Sequence, residues 1–182
     1  MTDWGETSGI SDRKHSYKCG FCDKVVGSHQ GYHNNNSCVW IAICPHCDKP
    51  TFFEGKDQTP APLIGIEVDN VPTEVSSLYT EVRACTGAKA FTAAVLACRK
   101  LLMHIAVDKG APAGKTFIEY VEYLADNHYV PLNGKIWVDH IRTKGNEANH
   151  EINIMAKADA LNLINFIEML LRIIYEFPSR IA

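Results

Sequence analysis

The chain has 182 residues, of which 46% are hydrophobic and 21% are charged, and its formal net charge at pH 7 is -3. This length fits one domain, or one domain with a small appendage, and supplies enough apolar residues for a buried core. The near-neutral balance excludes a general basic coat for nucleic acid, so any phosphate contact must be local. The sequence shows neither an export signal nor an apolar run of membrane-spanning length, which predicts a cytoplasmic protein that does not enter a membrane.

The pattern of residues divides the chain into four stretches. Residues 1 to 14 lack periodicity and predict a flexible N-terminus, and residues 15 to 56 alternate short β-prone runs with turn residues. Proline and polar residues mark a linker over residues 57 to 72, in which the apolar run LIGIEV could form one strand. Residues 73 to 182 carry helical periodicity. The predicted fold class is therefore mainly α, with a small β-rich unit before a helical bundle.

Apolar residues recur at helical spacing in five stretches of the C-terminal part. The second is the clearest, with an apolar face from Phe91 to Ile105. Thr116 and Glu119 have the spacing of a capping box at the start of the third helix. A fourth helix is indicated around residues 136 to 141, and a fifth over residues 155 to 176. The fifth is apolar on more than one side, which predicts burial by the bundle and by a second subunit.

Four of the seven cysteines form two tight pairs, Cys19-Gly-Phe-Cys22 and Cys44-Pro-His-Cys47, with 21 residues between them. Each C-x2-C turn can present two thiolates, and two such turns supply the four soft ligands of a tetrahedral zinc site. The spacing predicts a zinc ribbon with one structural Zn2+ bound by Cys19, Cys22, Cys44 and Cys47. Because an all-thiolate shell leaves no open position for water, this metal is expected to stabilise a surface and not to catalyse a reaction.

Other roles remain open for the cysteines and for the histidines near them. Either pair could be a thioredoxin-type redox motif, although that chemistry requires a helix after the first cysteine and residues 49 to 53 are β-prone. Cys85 and Cys98 fall on apolar helix faces and are expected to be small core residues, not reactive thiols. Four further residues are candidate substitute ligands: His29, His33, Cys38 and His46.

The segment IRTKGNEANH, residues 141 to 150, places three residues that are candidates for binding or catalysis in a short polar stretch. In a continuous helix, Arg142, Asn146 and His150 share one face at i, i+4 and i+8. If Gly145 ends the helix instead, the following loop can return over Arg142. Either arrangement suits a phosphate site, because a guanidinium binds phosphate oxygens and an imidazole transfers protons near neutral pH. The structural alternative is an ion pair of Arg142 with an acid and local backbone bonds for the other two residues.

The zinc ribbon, the proline-rich joint, the helices VSSLYTEVRAC and GAKAFTAAVLACRKLLMHIA and the string IRTKGNEANH together resemble domain of unknown function 4145, over residues 17 to 176. The helical part of that family is similar to the HEPN (higher eukaryote and prokaryote nucleotide-binding) domains. These are four- or five-helix bundles that often dimerise and include metal-independent ribonucleases of toxin and defence systems. The resemblance implies an HEPN-like bundle, a homodimer, and a nucleic-acid or protein partner in a bacterial or phage defence setting.

The chain departs from the R-x-x-x-x-H motif of active HEPN ribonucleases, because Gly145 stands where the motif has its arginine. Arg142 lies three residues earlier, and Arg99 could approach from the second helix, on the side opposite its apolar face. The resemblance therefore assigns a site role only to His150 and Asn146.

The leading prediction is a module that binds nucleic acid, such as RNA, or a protein partner. The alternatives are a metal-independent endoribonuclease, with His150 as general acid or base and Arg142 stabilising phosphate charge, and a structural adaptor.

Overall fold

The computed structural model describes most of the chain, namely residues 15–28, 30–33, 39–131 and 154–181. The chain separates into two compact units, Met1–Leu63 and Ile64–Ala182. The extents predicted for the flexible N-terminus, the ribbon, the linker and the bundle stay predictions. Among the described residues, no helix is long and apolar enough to cross a membrane.

The first unit is built from two antiparallel sheets. In the smaller one, β1 (His15–Lys18) pairs with β2 (Val25–Ser28). The larger sheet has four strands in sequence order: β3 (Gly31–His33), β4 (Val39–Ile43), β5 (Pro50–Glu54) and β6 (Asp57–Thr59). Its register aligns Tyr32 with Ile41, Ile41 with Phe52, and Phe52 with Thr59, so these residues form one row on one face of the sheet.

The core of the first unit is small. Its buried members are Tyr17, Cys19, Ala42, Cys44 and Phe53. The Phe53 ring stacks on Trp40, with centroids 3.8 Å apart and planes at 4°, and the ring of Tyr17 meets it edge-on at 5.1 Å. Since two of the five buried residues are cysteines, apolar burial alone gives this unit little stability.

The second unit is helical in the part that the structure describes. Its helices are α1 (Thr73–Gly87), α2 (Phe91–Asp108), α3 (Phe117–Asp126) and α4 (Lys157–Leu171), and α4 continues through a π-helical turn (Arg172–Glu176) into the short α5 (Phe177–Ser179). Helix α2 packs against α1, α3 and α4 and contributes the centre of the core. The helix predicted around residues 136 to 141 lies outside the described residues.

The capping box predicted at the start of α3 is confirmed. The N–H of Glu119 donates to the Thr116 hydroxyl at 3.4 Å, and the N–H of Thr116 donates to the Glu119 carboxylate at 2.7 Å. This exchange satisfies two N–H groups that a helix start would otherwise leave without an acceptor.

The predicted fold class, mainly α, is wrong, because sheets of two and four strands accompany the helices and make the chain a mixed α and β protein. Strands of three to five residues are too short to show clear alternation, and the polar strand β6 falls where the sequence indicates a linker. The strand expected in LIGIEV is not formed. Side chains of α1 and α4 bind the backbone of Ile64, Gly65 and Ile66 instead of a neighbouring strand.

Candidate metal centre

The two cysteine pairs lie in turns with the same backbone hydrogen bonds. In the first turn, the N–H of Cys19 donates to the carbonyl of Lys24 at 2.9 Å, and the N–H of Asp23 donates to the carbonyl of Cys19 at 3.0 Å. The corresponding distances in the second turn, which begins at Cys44, are 3.0 and 2.9 Å. Both turns have the sequence Cys-x-x-Cys-Asp-Lys, so the same local sequence produces the same shape twice.

An aspartate closes each turn in the left-handed region of the backbone, with φ of 59° at Asp23 and 56° at Asp48. A short polar side chain tolerates this conformation better than a bulky or β-branched one. The sequence analysis considered only cysteines and histidines around the site and missed these two aspartates. The repeated Asp-Lys after each C-x2-C was the signal that could have identified them.

The turns bring the four thiols together. All four Sγ atoms lie within 4.8 Å of one another, with Cys19 to Cys47 at 3.8 Å and Cys22 to Cys44 at 3.7 Å. Tetrahedral zinc with Zn–S bonds of about 2.3 Å requires sulfur atoms about 3.8 Å apart. The N–H of Phe21 also points to the Sγ of Cys19, at 3.5 Å. The four cysteines can therefore hold a metal ion.

The protonation of the thiols depends on burial and on their mutual proximity. Burial raises the pKa of Cys47 to about 12, and burial also raises the pKa of Cys22. At Cys44, burial acts in the same direction, but hydrogen bonds from the N–H groups of His46 and Cys47 and from the thiols of Cys47 and Cys19 together outweigh it and lower the pKa of this thiol. Four thiolates at these distances repel one another unless a cation lies among them, which a divalent metal would provide.

The surroundings of the cysteines argue against the other roles considered for them. The chain after Cys47 forms strand β5, whereas a thioredoxin-type motif requires a helix after its first cysteine. His46 is exposed, and within the described residues the metal-ligand cluster consists of cysteines only. His29, Cys38 and the side chain of His33 lie outside the described residues.

The chain after β6 closes tightly over the first cysteine turn. The side-chain amide of Gln58 donates to the carbonyls of Lys18 at 2.8 Å and Pro60 at 3.0 Å. A Cβ atom at Gly20 would lie 2.6 Å from the carbonyl oxygens of both Pro60 and Ala61. Only glycine fits at this position, because the obstructing atoms belong to the backbone and cannot rotate away.

Among the described residues of the first unit, three aromatic side chains are exposed: Phe21, Tyr32 and Phe52. Phe21 lies in the first cysteine turn, is 46% exposed, and has the ammonium of Lys49 5.0 Å from its ring centroid. Tyr32 and Phe52 stand on the same face of the larger sheet, on either side of Ile41. Phe21 and Lys49 therefore lie next to the cysteines, whereas Tyr32 and Phe52 lie on the sheet face opposite Phe53, which packs with Cys19 and Cys44.

Of the residues considered for a phosphate site, the structure describes Arg99. Arg142, Gly145, Asn146 and His150 lie outside the described residues. Arg99, the other candidate arginine, does not face away from the core as expected, since it is 6% exposed on α2.

The two cysteines predicted for the core both contact it, but they differ in how deeply they are buried. Cys98 is fully buried on α2, and burial raises the pKa of its thiol. Cys85 on α1 is half-buried and packs against the same core. The burial of Cys98 confirms that it is a core residue. Its raised pKa keeps the thiol neutral, and a neutral buried thiol is a poor nucleophile.

A family model described as domain of unknown function DUF4145 matches residues 80–182, which is more than half of the chain. No curated protein and no solved structure is significantly similar to the chain. The matched residues lie in the helical unit and do not include the four cysteines.

Proposed function

The chain belongs to the DUF4145 family, and we propose that it is a zinc-stabilised recognition module whose N-terminal unit binds single-stranded nucleic acid. The observation that carries the zinc assignment is the spacing of the four thiols, with sulfur pairs at 3.7 and 3.8 Å. Cys19, Cys22, Cys44 and Cys47 would hold Zn2+ as thiolates and fix the two turns relative to each other. Four protein ligands close the tetrahedron, so the metal would organise the unit and would not bind substrate.

The proposed ligand follows from the chemistry of the exposed side chains. Phe21, Tyr32 and Phe52 offer ring faces, and stacking of one base on an aromatic side chain contributes about 1–3 kcal/mol. Lys24 and Lys49 are exposed in the same unit and supply the local phosphate contacts that a near-neutral chain can make. Stacking tolerates any base, which favours a single strand over a duplex.

Metal analysis of the purified chain tests the first half of the proposal. We expect one zinc ion per chain, and we expect the double variant Cys19→Ser with Cys44→Ser to lose it. Cys85→Ser is the matched control, because it removes a half-buried thiol outside the cluster and should retain the metal. A metal-free wild-type chain that keeps its native N-terminal amide signals in NMR would overturn the zinc assignment.

Fluorescence anisotropy with labelled single-stranded RNA and DNA tests the second half. We expect Phe52→Ala to weaken binding by roughly tenfold, in line with the loss of one stacked base. We expect Lys49→Ala to reduce the dependence of log affinity on log salt by about one. Phe177→Ala, which removes an exposed aromatic ring from the helical unit, should leave binding unchanged.

Two outcomes would contradict nucleic-acid recognition. One is the absence of binding by the wild-type chain to every oligonucleotide at low salt, which would favour a protein partner for the same exposed rings. The other is an equal loss of affinity in Phe52→Ala and Phe177→Ala, which would indicate binding outside the N-terminal unit.

The homodimer and the bacterial or phage defence setting belong to the proposal as well. The homodimer is supported by the resemblance to HEPN domains, which often dimerise. The apolar face of α4 adds nothing to this support, because most of its apolar side chains are already buried within one chain. Sedimentation equilibrium tests the dimer, and a monomer at all accessible concentrations would reject it. A neighbouring gene for an antitoxin-like nucleotidyltransferase would favour a toxin within the defence setting.

The endoribonuclease alternative rests on Arg142, Asn146 and His150 and stays a prediction of the sequence. Incubation of single-stranded RNA with wild-type, His150→Ala and Arg142→Ala chains in EDTA tests it. Cleavage by the wild type that both variants lose would support a metal-independent ribonuclease. No cleavage of diverse RNAs by the wild-type chain would exclude it.

A further inference from the structure

Two arginines are buried in the described part of the helical unit, and the first has hydrogen-bond acceptors within the protein. Arg83 on α1 is 4% exposed. Its Nε donates to the carbonyl of Ile64 at 3.2 Å, and its Nη2 donates to the carbonyl of Gly65 at 2.9 Å. Carbonyl oxygens of a neighbouring segment thus take the place of water around the guanidinium, which is how a structural arginine is stabilised inside a fold.

The second buried arginine, Arg99 on α2, has no such environment. It is 6% exposed, and its Nη1 atom is inaccessible to solvent and has no hydrogen-bond partner among the residues that the structure describes. No carboxylate in the described part of the chain forms an ion pair with it. The guanidinium lies 4.3 Å from the ring centroid of Phe117, which attracts the cation but accepts no conventional hydrogen bond. Burial lowers the pKa of Arg99, as expected for a cation removed from water without compensation.

The position of Arg99 gives a second reason why a negatively charged group would be stabilised near it. Phe117 is the first residue of α3, a helix of ten residues, so the ring that the guanidinium contacts belongs to a helix start, where the backbone carries a partial positive charge. The nearest acid of that helix start, Glu119, is already bound by the N–H and the hydroxyl of Thr116, each at 2.7 Å. The carboxylate therefore serves its own helix cap and leaves Arg99 uncompensated.

We propose that Arg99 anchors an oxyanion site in the helical unit, which binds a phosphate or carboxylate group of a ligand through the guanidinium fork. A planar guanidinium presents parallel N–H donors that match two oxygens of such a group, so an oxyanion supplies both the missing acceptor and the missing charge. A water molecule would supply the acceptor alone. The site lies in the helical unit and is independent of the four thiols, so it can be present or absent whatever the N-terminal unit binds.

Thermal unfolding in the presence of small anions tests the proposal. The full chain is titrated with sodium phosphate and separately with sodium acetate, with sodium chloride holding the ionic strength constant. We expect a saturable rise in Tm with one of the two anions and none with chloride, because only a ligand of the native state raises Tm by mass action. A larger response to phosphate would identify a phosphate ester as the ligand class, and a larger response to acetate a carboxylate.

Variants of the two arginines separate a binding role from a structural one. Arg99→Met should abolish the anion-dependent rise in Tm. Arg83→Met should lower the Tm of the free chain, because it removes the donor to two partly buried carbonyls, but should retain the rise with anion. Arg99→Lys keeps the charge without the fork and should weaken the apparent anion affinity at least tenfold.

A direct measurement keeps the test decisive if Arg99→Met does not fold. The guanidinium 15N signals of the wild-type chain, with that of Arg99 assigned through its loss in Arg99→Lys, should shift on anion titration with the same midpoint as the Tm. Absence of a saturable rise in Tm with both anions would overturn the proposal. So would an unchanged rise in folded Arg99→Met, or movement of the Arg83 signal alone.

Discussion

The two units of this chain reach stability by different physical routes. The helical unit encloses a continuous core to which α1, α2, α3 and α4 all contribute buried aliphatic and aromatic side chains. In the described part of the N-terminal unit, the core cluster has five buried residues, two of which are cysteines of the candidate metal centre. Units below about 70 residues seldom bury enough apolar surface to fold on that basis and are commonly held by metals or disulfides. Loss of the proposed metal should therefore reduce the stability of the N-terminal unit, and loss of apolar volume should reduce that of the helical unit.

Removal of the proposed zinc ion should cause the largest difference in stability between the two units. Structural zinc contributes about 10–16 kcal/mol of apparent binding free energy in small zinc-dependent folds, which exceeds the stability of most units of this size. We expect a strong chelator to abolish hydrogen-exchange protection of β1 to β6 while α2 keeps its protection. Hydrogen exchange followed by mass spectrometry measures both regions in one sample.

Cys85→Ser provides the matched control for that experiment, since its chelator response should equal that of the wild type. Retained protection of the N-terminal strands after verified loss of zinc would show that the five-residue core suffices. The proposed difference between the units would then be rejected.

Loss of core volume in the helical unit should have the second largest effect. Leu101 is fully buried on α2, and Leu101→Ala should reduce the free energy of unfolding by about 2–5 kcal/mol through lost apolar transfer and a residual cavity. Leu96, on the same helix but 44% exposed, is the control, and Leu96→Ala should change stability by less than about 0.5 kcal/mol. Denaturant unfolding followed by far-ultraviolet circular dichroism reports both, and equal effects would contradict the assignment of the core.

The packing of the chain over the first cysteine turn predicts a smaller effect, confined to the N-terminal unit. Gly20→Ala forces a methyl group against the carbonyls of Pro60 and Ala61 and should cost about 1–3 kcal/mol. Competition with a coloured chelator should therefore show faster zinc release. Gly27→Ala is the matched control, because no atom lies within 4 Å of its added Cβ. Equal release rates in the two variants would reject the close contact at Gly20.

The smallest predicted effect is electrostatic and lies in the helical unit. Hydrogen bonds from Lys109 and from the Tyr175 hydroxyl, the latter at 2.8 Å, lower the pKa of Asp108. A lowered native pKa contributes stability at pH values above the unfolded pKa of about 3.9, and this contribution is lost as the pH falls through the native pKa. Tyr175→Phe should raise the Asp108 pKa toward its ordinary value, as measured by carboxyl 13C chemical shifts. Tyr120→Phe, the control, should not change it.

Local patterns account for what the sequence predicted correctly. The capping box of Thr116 and Glu119 is a contact between residues three apart, and the apolar face of α2 follows from helical spacing alone. The convergence of the four cysteines was likewise indicated by the repeated C-x2-C spacing. The predicted fold class was wrong because strands as short as Asp57–Thr59 take their structure from neighbours in the sheet and not from their own residues.

The start of α3, the apolar helix faces and the pairing of cysteines in equivalent turns follow from the sequence alone, since each depends on residues a few positions apart. The sheet to which β6 belongs and the role of the apolar run LIGIEV, whose backbone binds side chains of α1 and α4, depend on the tertiary structure. The contrasting surroundings of Arg83 and Arg99 depend on it too. Two arginines on helical stripes look alike in a sequence, but the acceptors around a buried guanidinium come from segments remote along the chain.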